Sequence, residues 1–188
     1  MIKVRIAVSA LLDKFEYVNC LETGTIRSYD EKHESTRHIS EIIGNRGKLK
    51  SIDVEEKSIN ISKDICKNAD NVEWILSDSI KYLKNDNDKY HFVLLDSVNN
   101  PDHILEEFKL VANRIEIGGC IMVDDAGIDV NHNVIDSKDL HTPKKGVGVN
   151  AFLIENDINF SVIEHGRPGN QLLIEVNEEN SIKLKGIL

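Results

Sequence analysis

Cysteine, proline and glycine are scarce in this sequence, and their scarcity excludes several architectures. The chain has three cysteines, Cys20, Cys66 and Cys120, which lie far apart and form no C-x-x-C pair. This spacing argues against a disulfide framework and against a structural zinc site, and it favours buried thiols. Three prolines and eleven glycines in 188 residues leave no obvious linker. We therefore expect a single domain over residues 1–188.

Long apolar runs are also missing. No stretch approaches the roughly 20 consecutive apolar residues that a membrane-spanning helix needs. The first residues lack the charged, apolar and small-residue pattern of a secretion signal. We expect a soluble cytoplasmic protein without a membrane partner.

Positive charge is in deficit, with 23 Lys and Arg against 32 Asp and Glu and a formal net charge of −9. The acidic residues are spread along the chain and are not confined to a tail. A surface of this sign repels long phosphate backbones, so no nucleic-acid partner is expected.

Short apolar runs alternate with stretches of helical periodicity. The strand candidates are residues 17–22, 49–53, 72–76, 91–96 and 120–124. Nearly continuous apolar runs suit strands buried on both faces, as in a parallel sheet. Helices are expected near 35–43, 55–67, 79–84 and 102–115, the last opened by Pro101 and closed by Gly118-Gly119. The alternation predicts an α/β fold with a doubly wound sheet.

Three segments lie outside this alternation. Residues 1–16 carry the pattern of a weakly amphipathic N-terminal helix. Residues 126–148 form a polar loop, which we place on the substrate side. Residues 159–176 contain two β-rich runs that can pair as a terminal antiparallel hairpin.

Every predicted parallel strand ends at or beside an acidic residue. These residues are Glu22, Asp53, Asp78, Asp96 and the pair Asp124-Asp125. Any one of them could simply cap a helix or form a turn. Ligands of open parallel sheets bind at the carboxyl ends of the strands, so acids at the ends of five strands favour a binding site at that rim. Asp53 could accept both hydroxyls of a ribose, and Asp78-Ser79 could contact an adenine amino group.

The turn after the first strand carries one glycine, Gly24, followed by a polar insertion that begins at Arg27. A nicotinamide-dependent oxidoreductase needs a G-x-G-x-x-G turn for its pyrophosphate, and this sequence lacks one. The turn therefore favours a ligand without phosphates.

The motifs at the strand ends together match a known family. They are Glu22-x-Gly24-Thr25, Ser35-Thr36, Ile52-Asp53, Asp78-Ser79, Leu95-Asp96 and the segment from Gly118-Gly119 to Asp124-Asp125. In these residues the chain resembles the class I S-adenosylmethionine-dependent methyltransferases, and within them the small O-methyltransferases similar to catechol O-methyltransferase. The resemblance covers about residues 17–126 and, through the hairpin, most of the remaining chain.

The resemblance implies a Rossmann-like sheet of seven strands in the order 3-2-1-4-5-7-6, with strand 7 antiparallel. It also implies S-adenosylmethionine as the cofactor. Its binding residues would be Glu22, Gly24, Thr25, Ser35, Thr36, Asp53, Asp78, Ser79 and Asp96.

Metal-dependent members of the family bind Mg²⁺ or a similar divalent cation after strands four and five. The matching positions here are Asp96, Asp124 and Asp125. Oxygen ligands of this kind suit a hard cation, which would hold the hydroxyl of the acceptor.

The general base of the family has no counterpart. The catechol enzymes carry a lysine a few residues beyond the strand-four acid, where this sequence reads Ser97-Val98-Asn99-Asn100. Candidates in the polar loop are His132, His141, Lys144 and Lys145. We predict Asp96, His141 and Lys144 as catalytic residues.

These observations predict O-methylation of a small-molecule hydroxyl, assisted by a divalent cation. The alternative is a non-catalytic module with a methyltransferase-like fold that binds a nucleoside or a partner protein. Because residues 1–16 form only a thin lid, a second subunit could cover the pocket, and a homodimer is a further hypothesis.

Overall fold

The computed structural model describes residues 2–29, 34–67, 69–135, 145–164 and 170–188. The strands are β1 (Val18–Thr23), β2 (Gly47–Asp53), β3 (Val72–Leu76), β4 (Tyr90–Leu95), β5 (Ile115–Val123), β6 (Ser161–Ile163) and β7 (Gln171–Glu175). The helices are α1 (Ile2–Leu12), α2 (Ser35–Ile43), α3 (Glu56–Ile65), α4 (Ser79–Leu83), α5 (Pro101–Ala112), α6 (Val147–Glu155) and α7 (Glu178–Ile187).

The strands form one sheet in the order β3-β2-β1-β4-β5-β7-β6. Strands β1 to β5 pair in parallel, and β7 pairs antiparallel with both β5 and β6. The predicted order and the antiparallel strand 7 are confirmed. The strand order reverses between β1 and β4, which is where open α/β sheets bind ligands.

Helices cover both faces of the sheet and bury two main cores. On one face α5, α6 and α7 contribute Phe108, Phe152 and Leu184 to a core that includes Leu21 and Ile121 of the sheet. The rings of Phe108 and Phe152 meet edge to face, with their centroids 5.8 Å apart. Side chains buried in parallel strands must be apolar on both faces, which explains the continuous apolar runs of the sequence.

Helix α1 belongs to the core on the other face. Its Val4, Val8 and Leu11 are buried beside Ile39 of α2 and Met122 of β5. Within the described part of the chain, no helix is long and apolar enough to cross a membrane.

The boundary between α5 and β5 differs from the prediction. Helix α5 ends at Ala112, and Asn113 follows as its C-terminal cap. Strand β5 already begins at Ile115 and runs through Gly118, so the two glycines lie inside a strand and do not terminate the helix. Gly118 has φ +94°, and the pairing of β4 with β5 shifts register between Tyr90 and Phe92. The glycine pair therefore marks an irregularity in the strand.

Helix α7 was not predicted.

Candidate functional site

The acids at the strand ends lie along one rim of the sheet, as predicted. Backbone hydrogen bonds continue the parallel pairing beyond the strands. The Asp96 N–H donates to the carbonyl of Thr23 at 3.0 Å. The Asp124 N–H donates to the carbonyl of Leu95 at 3.1 Å. The residues after β1, β4 and β5 are thereby held at one level.

The turn after β1 requires Gly24 for its own packing. Gly24 has φ +84°, and a Cβ there would lie 2.4 Å from the backbone carbonyl oxygen of Asp96. Side chains rarely adopt this φ, and the carbonyl leaves no room for one. The single glycine thus lets the β1 turn pack directly on the β4 turn.

A cavity of about 500 Å³ opens at the carboxyl ends of β1, β2 and β3, and we call it the rim cavity. Its volume is in the usual range for a small-molecule site. Four of the residues predicted to bind the cofactor line it, namely Gly24, Asp53, Asp78 and Ser79. Its lining also includes Arg27, Ser97, Asn99 and His103.

Asp53 is held in a fixed orientation at the end of β2. One carboxylate oxygen accepts the N–H of Thr25 at 3.1 Å, and the other accepts the N–H of Glu55 at 2.8 Å. A carboxylate has about four lone-pair sites, so each oxygen can accept a further hydrogen bond. Asp53 can therefore receive two donors of a ligand in the rim cavity.

Asp78 and Ser79 have partners within the protein. The Asp78 side chain caps helix α4 by accepting the Lys81 N–H at 2.8 Å. The Ser79 hydroxyl lies 3.0 Å from Nε2 of His103, which in turn lies 3.3 Å from a carboxylate oxygen of Glu107. The capping alternative therefore holds for Asp78, which nevertheless lines the cavity.

Glu107 is a buried acid that the sequence analysis did not identify. Its two oxygens accept the hydroxyls of Thr23 at 3.0 Å and Ser97 at 2.8 Å, and its side chain is fully buried. Its hydrogen bond raises the pKa of His103. His103 is half-buried in the wall of the cavity, where Glu107 pairs with it.

Glu22 lies beneath the rim and not in the wall of the cavity. Its fully buried carboxylate accepts the hydroxyls of Thr36 at 2.6 Å, Ser51 at 3.0 Å and Ser35. Thr25 extends this hydroxyl network, because its side chain lies 3.2 Å from the Thr36 hydroxyl. Burial raises the pKa of Glu22 to about 7, although the three hydroxyls oppose the rise.

Eight of the nine predicted cofactor residues thus separate into two sets, and Asp96 belongs to neither of them. One set is buried, and its side chains form hydrogen bonds with one another that join β1 to α2. These residues are Glu22, Thr25, Ser35 and Thr36. The other set lines the rim cavity and consists of Gly24, Asp53, Asp78 and Ser79. A direct cofactor contact from the buried set stays a prediction.

The three acids predicted to bind a metal surround a lysine. The ammonium group of Lys145 forms an ion pair with Asp96 and lies 3.7 Å from Oδ2 of Asp125. Asp124 accepts the side-chain amide of Gln171 at 2.7 Å. We call Asp96, Asp124, Asp125 and Lys145 the acidic cluster.

The charges of this cluster are mutually dependent. Burial raises the pKa values of Asp96 and Asp124, and the positive charge of Lys145 opposes the rise. Burial alone would lower the pKa of Lys145, but the charges of Asp96 and Asp124 outweigh it and raise that pKa. The lysine is therefore an ammonium ion at neutral pH.

The residues present do not fit a divalent cation. Such an ion needs several oxygen ligands within about 2.0–2.6 Å of one point. Among the described residues, no group of three His, Cys, Asp or Glu side chains could hold a metal. The ammonium of Lys145 already provides the positive charge where the prediction placed the cation.

The other candidate catalytic residues fall in different places. His141 and Lys144 lie outside the described residues, so their roles stay predictions. His132 is exposed, and its ring packs against Phe160 with centroids 4.7 Å apart. Lys145, proposed only as one of several loop cations, is the residue that reaches the acids.

A second cavity, of about 780 Å³, lies at the amino ends of β1, β2 and β3. Its lining includes Tyr17, Arg37, Lys48 and Asp70. None of the described residues predicted to bind cofactor or metal lines it. Although it is larger, it lies away from the ligand-binding end of a parallel sheet.

No family model matches the chain, and no curated protein matches it. Solved structures share its fold. An rRNA methylase from Streptococcus thermophilus superposes with a TM-score of 0.65 at 13% identity, over 94% of this chain and 95% of the other. The O-methyltransferase TomG from Streptomyces achromogenes, in complex with SAM, gives 0.64 at 17% identity over 93% and 80%. An O-methyltransferase from Bacillus cereus, in complex with SAH, gives 0.63 at 18% identity over 92% and 80%. The chain therefore has the Rossmann-like fold that these methyltransferases share.

Proposed function

We propose that this chain is an S-adenosylmethionine-dependent methyltransferase that methylates a hydroxyl of a small molecule. The observation that carries the proposal is Asp53, which two backbone N–H groups orient at the wall of the rim cavity. A carboxylate at the end of the second strand is suited to the two hydroxyls of a ribose.

The other cavity residues fit the remaining parts of such a ligand. Ser79 and His103 offer a hydroxyl and an imidazole beside β3, on the adenine side in the predicted arrangement. Gly24 keeps the β1 turn free of a side chain next to Asp96. Arg27 lines the same cavity and can pair with a carboxylate of the ligand.

When bound, S-adenosylmethionine supplies an electrophilic methyl carbon: an acceptor oxygen bonds to it while the carbon–sulfur bond breaks and its electron pair returns to sulfur. The chain contributes position, because in-line approach of two held groups removes much of the entropic barrier. Asp96 lies where the β1 and β4 turns meet, next to both the cavity and the acidic cluster. The proton of the acceptor hydroxyl leaves to solvent, and no described residue is assigned as its base.

A small-molecule acceptor agrees best with the charge of the chain. The net charge of −9 disfavours a long phosphate backbone near the rim. The structures that share the fold include an rRNA methylase as well as O-methyltransferases. Transfer of labelled methyl groups to hydroxylated small molecules and to rRNA would separate these acceptor classes.

The first test is calorimetric titration with S-adenosylhomocysteine in wild type, Asp53→Ala and Asp70→Ala. We expect Asp53→Ala to weaken binding about 100-fold or more, since two hydrogen bonds to a charged group are lost. Asp70 is the matched control, because it is an exposed aspartate lining the second cavity. Equal affinities in wild type and Asp53→Ala would refute the proposed cofactor site. Binding without turnover of any acceptor would favour the non-catalytic alternative.

A further inference from the structure

Lys145 is buried in a way that is rare for lysine. Its side chain is 1% exposed, and lysine is seldom so buried unless it is paired. Its ammonium contacts Asp96 and lies near Asp125, and the charge of Asp124 also acts on it. Three acidic side chains thus interact with one positive charge.

The main chain fixes the position of this lysine. The next residue, Gly146, packs so tightly on the β5 turn that a Cβ would lie 2.6 Å from Cα of Ala126. The Gly146 N–H also donates to the carbonyl of Asp125 at 3.3 Å. Helix α6 starts immediately afterwards at Val147. The packing of Gly146 and the start of α6 therefore hold Lys145 next to the acids.

The oxygens of the cluster already have donors. Asp124 accepts the Gln171 amide, and Asp96 accepts the Lys145 ammonium. A divalent cation among these acids would meet the ammonium at close range. Repulsion between the two positive charges would be strong in a site with little water. Either the cation stays out or the lysine has to leave its buried position.

We propose that Lys145 is the resident cation of the acidic cluster and keeps divalent cations out of it. Methyl transfer by this chain then needs no divalent cation, a statement that rests on the proposed function. The exclusion of metal from the cluster does not rest on it.

The test is a titration with Mn²⁺ alone, without cofactor, followed by the paramagnetic resonance signal of the free ion. We expect wild type to show no saturable binding that depends on Asp124. In Lys145→Ala the ammonium group no longer separates the three acids, so their side chains can converge on an ion, and the variant should take up about one equivalent of Mn²⁺. The double variant Lys145→Ala, Asp124→Asn is the control and should lose that uptake.

Two results would overturn the proposal. One is saturable binding in wild type that disappears in Asp124→Asn, because the cluster would then hold a metal beside its lysine. The other is a folded Lys145→Ala variant that takes up no Mn²⁺, because the lysine would then not be what excludes the ion. If Mn²⁺ binds wild type and Asp124→Asn equally well, the ion is bound outside the cluster, which agrees with the proposal. If Lys145→Ala does not fold, wild type and Asp124→Asn decide the question.

The outcome is independent of the cofactor. Failure of S-adenosylhomocysteine to bind would refute the proposed function and leave the Mn²⁺ result intact. Uptake of Mn²⁺ by wild type at the cluster would refute this inference and leave the cofactor site intact.

Discussion

The two halves of the sheet rim use the same residue type for different purposes. At the ends of β2 and β3, Asp53 and Asp78 accept backbone N–H groups and line a cavity. At the ends of β4 and β5, Asp96 and Asp125 lie beside a buried ammonium group. Carboxylates held by uncharged donors keep their charge available to a ligand, whereas those next to Lys145 share its one positive charge. The two halves therefore differ in the partners of their carboxylates, which are backbone N–H groups in one half and an ammonium group in the other.

Removing the lysine should have the largest effect on this contrast. Lys145→Met leaves three half-buried acids without a cation, so we expect a loss of about 4 kcal/mol in the free energy of unfolding. Urea denaturation measures the loss. Adding Asp96→Asn should restore part of it, because one uncompensated charge is then gone. A single-variant loss below about 1 kcal/mol would mean that Lys145 makes no strong pair in solution.

The turn that joins the two halves should be nearly as sensitive. Gly24→Ala introduces a Cβ 2.4 Å from the Asp96 carbonyl oxygen at φ +84°. We expect a loss of about 3 kcal/mol from strain and overpacking together. Gly44→Ala is the matched control, because Gly44 also has a positive φ, +50°, but nothing within 4 Å of a Cβ. It should cost about 1 kcal/mol. Equal losses would show that the backbone angle, and not contact with Asp96, makes Gly24 necessary.

Glu22 is a third kind of carboxylate, because its described hydrogen-bond partners are all hydroxyls and none is a cation. Its pKa is raised from 4.5 to about 7, so between these values the folded chain binds more protons than the unfolded chain. Stability therefore falls as pH rises through that window, by about 2–3 kcal/mol in total. Glu22→Gln should remove this slope, as seen by comparing unfolding curves of both proteins at pH 4.5 and above 7. Parallel pH profiles would show that folding does not raise the pKa of Glu22.

Much of the fold could be predicted because the information is local. The apolar runs of the parallel strands marked the sheet, whereas the strand order was implied by the family resemblance of the motifs at their ends. The end of α5 was placed wrongly because Ile115 continues the helical spacing of the apolar residues, while the structure uses it to start β5. Periodicity alone does not distinguish the last turn of a helix from the first residue of the next strand.

The candidate site was less predictable because its partners come from distant parts of the chain. The sequence located Asp96, Asp124 and Asp125, but the residue that neutralises them is 49 positions beyond Asp96. Lys145 was one of four candidate bases in the polar loop and not one of those predicted to be catalytic, and only tertiary packing around Gly146 places it at the acids. Glu107 gave no signal either, since an acid in the middle of an amphipathic helix usually faces water.

The most direct test of the account is a crystal structure of the chain with S-adenosylhomocysteine. We predict the ligand in the rim cavity, with its ribose hydroxyls on Asp53 and its adenine beside Ser79. The Lys145 ammonium should still lie between Asp96 and Asp125, even in crystals grown with Mg²⁺. Ligand bound in the cavity at the amino ends of the strands, or a metal ion in place of the ammonium, would contradict the account.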